Sequence, residues 1–83
     1  MSVPFHPHAL ARMKERGATE EEVRKAVEQG ERFDAKFGRT GFRCNFPFDG
    51  EWRGRYYRTK QVEVYAVLED EGWLVITVIT RYF

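Results

Sequence analysis

The segment HALARMKERG, residues 8–17, sets the first element of the fold and carries distinctive polar side chains. At about 100° per residue, a helix through this segment places His8, Arg12, Glu15 and Arg16 along one flank. Histidine can transfer protons near neutral pH, and arginine can hold a phosphate group through forked hydrogen bonds. This flank is therefore a candidate for phosphate chemistry, and the same pattern is also typical of an ordinary polar helix surface.

Signals at the helix ends predict two consecutive helices. The first, residues 7–16, begins with a proline, and Gly17 is placed to end it in a left-handed conformation. The second, residues 20–29, follows Thr19, which forms a capping box with Glu22 three positions later. The apolar residues of both helices are spaced to form one narrow stripe each, so both are expected to pack on another layer.

After the second helix, the apolar residues alternate with polar ones, which predicts β-strands. Asp49-Gly50 is a hairpin-turn signal, and Lys60-Gln61 is a candidate for a further turn. The predicted fold class is α+β, with two N-terminal helices packed on one face of a four- to five-stranded antiparallel sheet. The predicted strands cover about residues 31–37, 42–48, 52–59, 62–69 and 73–82.

The apolar side of each element predicts which residues are buried together. Glu63, Tyr65 and part of the arginine set are expected on the opposite face of the sheet. The predicted core consists of Leu10, Met13, Val23, Val27, Val64, Ala66, Ile76 and Val78.

Length and composition limit the class of protein. With 83 residues, the chain is expected to form a single domain, 1–83. Cys44 is the only cysteine, which excludes an intramolecular disulfide and a cysteine-based metal cluster. No metal site or cofactor motif is apparent, and no apolar run has the length of a membrane span. We therefore expect a cytoplasmic protein without a cofactor and without a membrane partner.

The charge distribution is uneven although the formal net charge is only +1. Residues 36–60 contain seven cations and two anions. Single-stranded RNA is bound by cationic grooves and by stacking on aromatic side chains, so this basic region and the nearby C-terminal strand are candidates for an RNA surface. The alternative is a purely structural role, in which the arginines are solvated and the tyrosines pack within the sheet. The candidate RNA-binding residues are Arg55, Arg58, Lys60, Arg81 and Tyr82.

The order of elements and the first helical motif together resemble the domain-of-unknown-function family numbered 4258. That family is similar to the broader RelE/barnase-like toxin fold, in which helices precede an antiparallel sheet. The resemblance is carried by His8, Ala9, Arg12, Met13, Arg16 and Gly17, by the capping segment Thr19–Val23, and by the closing strand Leu74–Val78.

The resemblance implies a single RelE-like domain and a function. Many proteins of that fold are metal-independent ribonucleases, found in toxin–antitoxin pairs, so the implied partners are RNA and a small antitoxin protein. Metal-independent RNA cleavage needs a base, an acid and cations that stabilise the phosphate charge. The candidate catalytic residues are His8, as acid or base, with Arg12 and Arg16 holding the phosphate.

A second function hypothesis remains open beside the endoribonuclease. The same fold can serve as a catalytically inactive binding domain for a protein partner or for nucleic acid. Convergence of His8, Arg12, Arg55 and Arg58 on one concave surface favours the enzyme, and their separation by the core favours the binding domain.

Overall fold

A computed structural model describes residues 3–70 and 72–83 of the chain. Its order of elements is the predicted one, with two helices followed by an antiparallel sheet, so the α+β prediction is confirmed. None of the helices in the described ranges is long and apolar enough to cross a membrane. The elements are α1 (Pro7–Arg16), α2 (Glu20–Gln29), β1 (Glu31–Asp34), β2 (Thr40–Trp52), β3 (Arg55–Glu69) and β4 (Gly72–Tyr82).

Both helices have the predicted bounds because their end signals act as expected. Gly17 adopts a left-handed conformation with φ 74°, and the N–H of the following residue bonds to the carbonyl of Met13. Thr19 and Glu22 form the reciprocal capping box, with hydrogen bonds of 3.1 and 2.9 Å. The short link between Gly17 and Thr19 therefore fixes where α2 starts relative to α1.

The four strands form a simple meander in the order β1-β2-β3-β4. The β2–β3 turn lies at Arg53-Gly54, between the paired residues Trp52 and Arg55. Its φ angles of 51° and 85° are both positive, as a two-residue hairpin turn of type I′ requires. The hairpin turn predicted at Asp49-Gly50 is wrong. Asp49 has φ 45° and is absorbed into β2 as a bulge, at the register shift between Pro47 and Gly50.

The strand β3 is continuous, so there is no turn at Lys60-Gln61 and the sheet has four strands among the described residues. Lys60 pairs with Phe46 on one side and with Tyr82 on the other. This position is thus the middle of the sheet rather than the end of a hairpin.

The core lies between the helices and one face of the sheet. Of the predicted core, Met13, Val23, Val27, Val64, Ala66 and Val78 are buried, and Leu10 and Ile76 are not among the buried residues. The buried cluster consists of Val3, Ala9, Met13, Ala18, Val23, Ala26, Val27, Phe42, Val62, Val64, Ala66, Val75 and Val78.

The prediction for Leu10 is wrong because α1 packs on β4 at one side of the sheet. Ala9 and Met13 face the strand and are buried, whereas Leu10 lies on the outer flank and is 45% exposed. Since α2 packs on β2 and β3, it does not cover that flank.

The prediction for Ile76 is wrong because β4 contains a bulge. Tyr65 pairs with Thr77, but the next residue of β3, Ala66, pairs with Val75, which leaves Ile76 without a partner. The alternation of faces is therefore interrupted, and Val75 rather than Ile76 points into the core.

The segment before α1 covers the start of the β4 edge. Phe5 forms a parallel bridge to Val75, and the backbone of Val75 bonds to Pro4 and His6 at 3.0 and 2.9 Å. Because α1 begins directly after this contact, its N-terminal histidines are positioned beside the bulge at Ile76.

Candidate functional site

The predicted catalytic flank of α1 is divided by the contacts that its arginines make. Arg12 forms an ion pair with Glu15 at 2.7 Å on the surface. The Nη1 atom of Arg16 donates to the carbonyl of Val78 at 2.6 Å, and the hydroxyl groups of Thr80 and Tyr82 donate to the carbonyl of Arg16. Arg16 therefore fastens the end of α1 to the edge of β4.

His8 lies at the other end of α1, in what we call the histidine cavity. This cavity is lined by His6, His8, Arg39, Ile76 and Thr77, so it contains neither Arg12 nor Arg16. The backbone N–H of His8 donates to Nδ1 of His6 at 3.1 Å, which makes His6 the N-cap of α1. The structure thus brings His8 together with a second imidazole and with a guanidinium group that the sequence did not single out.

Lys60 is placed by the structure on the helix side of the sheet. Its Nζ atom donates to Oε1 of Glu22 at 2.8 Å and to the carbonyl of Gly17, and the residue is only 6% exposed. An RNA phosphate would have to displace Glu22 to reach it. In this arrangement, the contacts of Lys60 join α1, α2 and β3.

Tyr82 lies in an aromatic group on the same side. Its ring stacks on Trp52 with centroids 4.9 Å apart, and burial raises the pKa of its hydroxyl above the ordinary value. Phe48 and Tyr57 also contact this ring. Tyr82 therefore packs the turn end of the β2–β3 hairpin against the end of α1.

Arg55 and Arg58 are exposed on the outer part of β3. Arg55 lies over the ring of Tyr57, at 5.9 Å from its centroid. Arg58 lines a shallow groove with Thr59, Pro47 and other residues at the end of the sheet. These two arginines are accessible to a polyanion, but neither of them lines the histidine cavity.

The sheet face opposite the helices, which we call the open face, carries a cluster that sequence reasoning did not assemble. Glu63 is at its centre, and its Oε2 atom accepts from Nε of Arg43 at 3.0 Å and from Nη1 of Arg81 at 2.7 Å. The hydroxyl of Tyr65 donates to Oε1. Glu31 contacts Arg43 from β1 at 3.5 Å.

The electrostatics of this cluster hold Glu63 in its charged form. Burial of the carboxyl raises its pKa, but the hydrogen bonds from Tyr65 and Arg43 and the charge of Arg81 lower it more, so the pKa lies below its ordinary value of 4.5. Burial and the hydrogen bond to Glu63 raise the pKa of Tyr65. The carboxylate is therefore a fixed anion that positions two guanidinium groups.

A second cavity joins the open face to the histidine cavity. We call it the aromatic cavity, because Phe33, Phe37 and Tyr65 are among its lining residues. Arg39 and Thr77 line both cavities. A continuous surface therefore runs from His8, past the β4 bulge, to the ring of Tyr65 and the Glu63 cluster.

The register explains why the sequence did not reveal this cluster. A turn at Asp49-Gly50 would have paired Arg43 with Tyr56, whereas the actual register pairs Arg43 directly with Glu63. The expectation that Glu63 and Tyr65 lie opposite the helices is confirmed by their hydrogen-bonded neighbours. That Arg43 lies beside Glu63, however, depends on the position of the turn at Arg53-Gly54.

Within residues 3–70 and 72–83, no three His, Cys, Asp or Glu side chains are grouped closely enough to hold a metal ion. The side chains at the two cavities and in the Glu63 cluster supply imidazole, guanidinium, hydroxyl and carboxylate groups. Such groups can bind an anion, transfer protons and stabilise charge that develops on a phosphate.

Comparison with known proteins identifies the family. Neither curated proteins nor solved structures gave a match to the chain. The family described as Domain of unknown function (DUF4258) matches residues 5–80, which include both helices, β1 to β3 and most of β4. The chain therefore belongs to the DUF4258 family.

Proposed function

We propose that this protein is a metal-independent endoribonuclease that cleaves single-stranded RNA at the histidine cavity. The observation that carries the proposal is the shared cavity of His6, His8 and Arg39. Two imidazoles next to one guanidinium group provide the three functions that the reaction needs. The resemblance to the RelE/barnase-like toxin fold supports the same class of reaction.

The reaction is an intramolecular transesterification, in which the 2′-oxygen of the ribose attacks the phosphorus of the adjacent 3′-phosphodiester. A neutral imidazole accepts the proton of the 2′-hydroxyl, and the 2′-oxygen attacks phosphorus. The bond from phosphorus to the 5′-oxygen breaks, and an imidazolium donates a proton to that oxygen. The products are a 2′,3′-cyclic phosphate and a free 5′-hydroxyl, and no metal or external reductant takes part.

The roles of the side chains follow from the contacts that they already make. Nδ1 of His6 accepts the N–H of His8, so Nε2 carries the hydrogen of the neutral His6 ring, and His8 is the imidazole that accepts the proton of the 2′-hydroxyl. His6 serves as the acid once its Nδ1 is also protonated, which breaks its bond to the N–H of His8. Arg39 is the guanidinium group of this cavity and takes the phosphate-stabilising role that the sequence assigned to Arg12 and Arg16. Arg16 instead contributes by holding the end of α1.

The path of the RNA beyond the cavity is also part of the proposal. The exposed arginines Arg55 and Arg58, which the sequence singled out, contact the phosphate backbone at the far end of the sheet. Binding that depends on phosphate contacts weakens steeply as salt rises, because bound counterions are released. A steep salt dependence that is reduced in an Arg55→Ala/Arg58→Ala variant supports this part of the proposal.

The decisive experiment measures cleavage of a labelled single-stranded RNA by the purified protein in the presence of a chelator. We expect His8→Ala to lower the rate by about 10²–10⁴, the usual contribution of a general acid or base. Lys14→Ala, which changes an exposed cation on the same helix, is the matched control and should cleave like the parent. The proposal fails if the folded parent protein cleaves no RNA, or if His8→Ala cleaves as fast as the parent.

A catalytically inactive binding domain is the second candidate, and one observation favours it. His8 does not share its cavity with Arg12, and Arg55 and Arg58 lie on the hairpin, so the set chosen from the sequence does not converge. The same assay distinguishes the two functions. Salt-dependent RNA binding without a cyclic phosphate product indicates the binding domain.

A further inference from the structure

We propose that Arg43 and Arg81 form a phosphate-binding subsite on the open face, which holds a phosphodiester of single-stranded RNA next to the linkage that is cleaved. The proposal rests on the proposed function for the identity of the ligand. The site itself is derived from the burial, hydrogen bonds and charges of the Glu63 cluster, and from its position relative to the two cavities.

Stability alone gives a weak reason for a carboxylate at position 63. The side chain of Glu63 is only 4% exposed, although it projects from the sheet face opposite the helices, so Arg43, Arg81 and Tyr65 are what cover it. Burying an ion pair costs desolvation energy, and well-packed apolar residues of similar volume are often at least as stabilising. We therefore assign Glu63 a positioning role toward the two arginines.

The arrangement leaves guanidinium donors available for a ligand. Both arginines bind the same oxygen of Glu63, so their guanidinium groups are neighbours, and each donates only one hydrogen bond to it. A guanidinium group has five N–H donors. Arg81 is about half exposed, at 54%, so its remaining donors face solvent.

The two arginines can exchange an exposed carboxylate for an anion. Arg43, Arg81 and Glu63 together carry one net positive charge, which Glu31 balances in this structure. Tyr65 is neutral, since the ordinary pKa of its hydroxyl is 10.0 and its surroundings raise it further. Glu31 is the other charged group in contact, at 3.5 Å from Arg43, and its side chain is 70% exposed. A phosphate can therefore replace Glu31 at Arg43 without exposing a buried charge.

The neighbouring cavity indicates a nucleotide rather than a free phosphate. Tyr65 donates to Glu63 and also lines the aromatic cavity, where its ring meets Phe33 edge to face at 6.1 Å. Aromatic side chains of this kind stack on RNA bases. A base in the aromatic cavity has the histidine cavity at one end, shared through Arg39 and Thr77, and the arginine pair at the other.

The test uses a fully 2′-O-methylated oligonucleotide, which has no free 2′-hydroxyl and so is bound without being cleaved. Arg81→Gln should weaken its binding for any base sequence and lower the slope of log affinity against log salt by about 1, the value for one lost phosphate contact. Lys25→Gln, an exposed cation on α2, is the matched control and should bind like the parent.

A measurement on the parent protein makes the test independent of how the variants fold. Addition of the oligonucleotide should shift the backbone amide resonances of Arg43, Glu63 and Arg81. Shifts confined to the outer hairpin around Arg55 would overturn the subsite, and so would parental affinity and salt slope in a folded Arg81→Gln protein.

The two proposals fail in different ways. Loss of cleavage in His8→Ala together with unchanged oligonucleotide binding in Arg81→Gln refutes the subsite and leaves the endoribonuclease standing. Weaker binding in Arg81→Gln, with no cleavage by the parent protein, refutes the endoribonuclease and supports the subsite as part of a binding domain.

Discussion

Gly17 offers the sharpest test of how the end of α1 is joined to the sheet. Its φ of 74° lies in the left-handed region, and a Cβ atom at this position would meet the ring of Trp52 at 2.8 Å and the hydroxyl of Tyr82 at 2.9 Å. Gly17→Ala therefore introduces both backbone strain and a clash with two large aromatic side chains. The hydroxyl of Tyr82 is held by its hydrogen bond to the carbonyl of Arg16, and its ring stacks on Trp52, so relief of the clash requires both side chains to shift.

The expected magnitude is the sum of these two effects. Left-handed backbone costs a residue with a Cβ atom roughly 1–2 kcal/mol, and overpacking a well-filled site typically costs about 1–3 kcal/mol. Gly17→Ala should thus lower the free energy of unfolding by about 2–5 kcal/mol. Gly38→Ala separates the two effects, since Gly38 has φ 69° but open space around its Cβ position.

The assay is urea unfolding followed by tryptophan fluorescence and by circular dichroism. We expect the free energy of unfolding of Gly38→Ala to fall only by the cost of the left-handed backbone. That of Gly17→Ala should fall clearly more, because the clash adds to this cost. Equal losses in the two variants would show that Trp52 and Tyr82 do not pack against Gly17, and would refute the described junction between α1 and the hairpin.

Two further predictions concern the core and the open face. Met13→Ala should lower the free energy of unfolding by about 2–5 kcal/mol, because Met13 is buried, whereas Leu10→Ala should cost much less; thermal melts of the two variants check this order. The lowered pKa of Glu63 means that its stabilising contribution is complete above its ordinary value of 4.5 and is lost as pH falls through the lower pKa of the folded state. The stability difference between parent and Glu63→Gln should therefore shrink on acidification, and a difference that stays constant from neutral to acidic pH in urea titrations would contradict the ionised cluster.

Local signals predicted the helices well because the causes of a helix end lie within a few residues. The capping box of Thr19 and Glu22 and the left-handed Gly17 involve only neighbouring backbone groups. No distant contact is needed to decide either end. The bounds of both helices were therefore predictable from the sequence.

The sheet was less predictable because a segment with turn-forming residues can also continue as a strand, and the strand pairing on both sides decides between the two. Asp49-Gly50 has the composition of a turn, yet pairing beyond it continues to Trp52 and Arg55, and Asp49 becomes a bulge instead. This choice fixes which residue of β3 lies opposite Arg43. The candidate site on the open face could not be derived without it.

The histidine cavity was only partly predictable for a similar reason. His8 was singled out from its position on α1, but Arg39 comes from the β1–β2 connection and reaches the cavity through tertiary structure. The sequence spacing of the two residues carries no information about this contact. The burial of Lys60 could not be predicted from neighbouring residues either, since its ion pair with Glu22 joins β3 to α2.

The unpaired Ile76 has a consequence for how the length of this chain can vary. Because the bulge adds one residue between Val75 and Thr77, Val75 faces the core and Thr77 faces the opposite side of the sheet, as two adjacent residues of an uninterrupted strand would. A chain without Ile76 would keep the same core and the same open face, and would lose only the local bend beside the histidine cavity. Insertion or deletion at this one position therefore leaves the strand pairs on both sides in register and changes mainly the shape of the histidine cavity, which Ile76 lines.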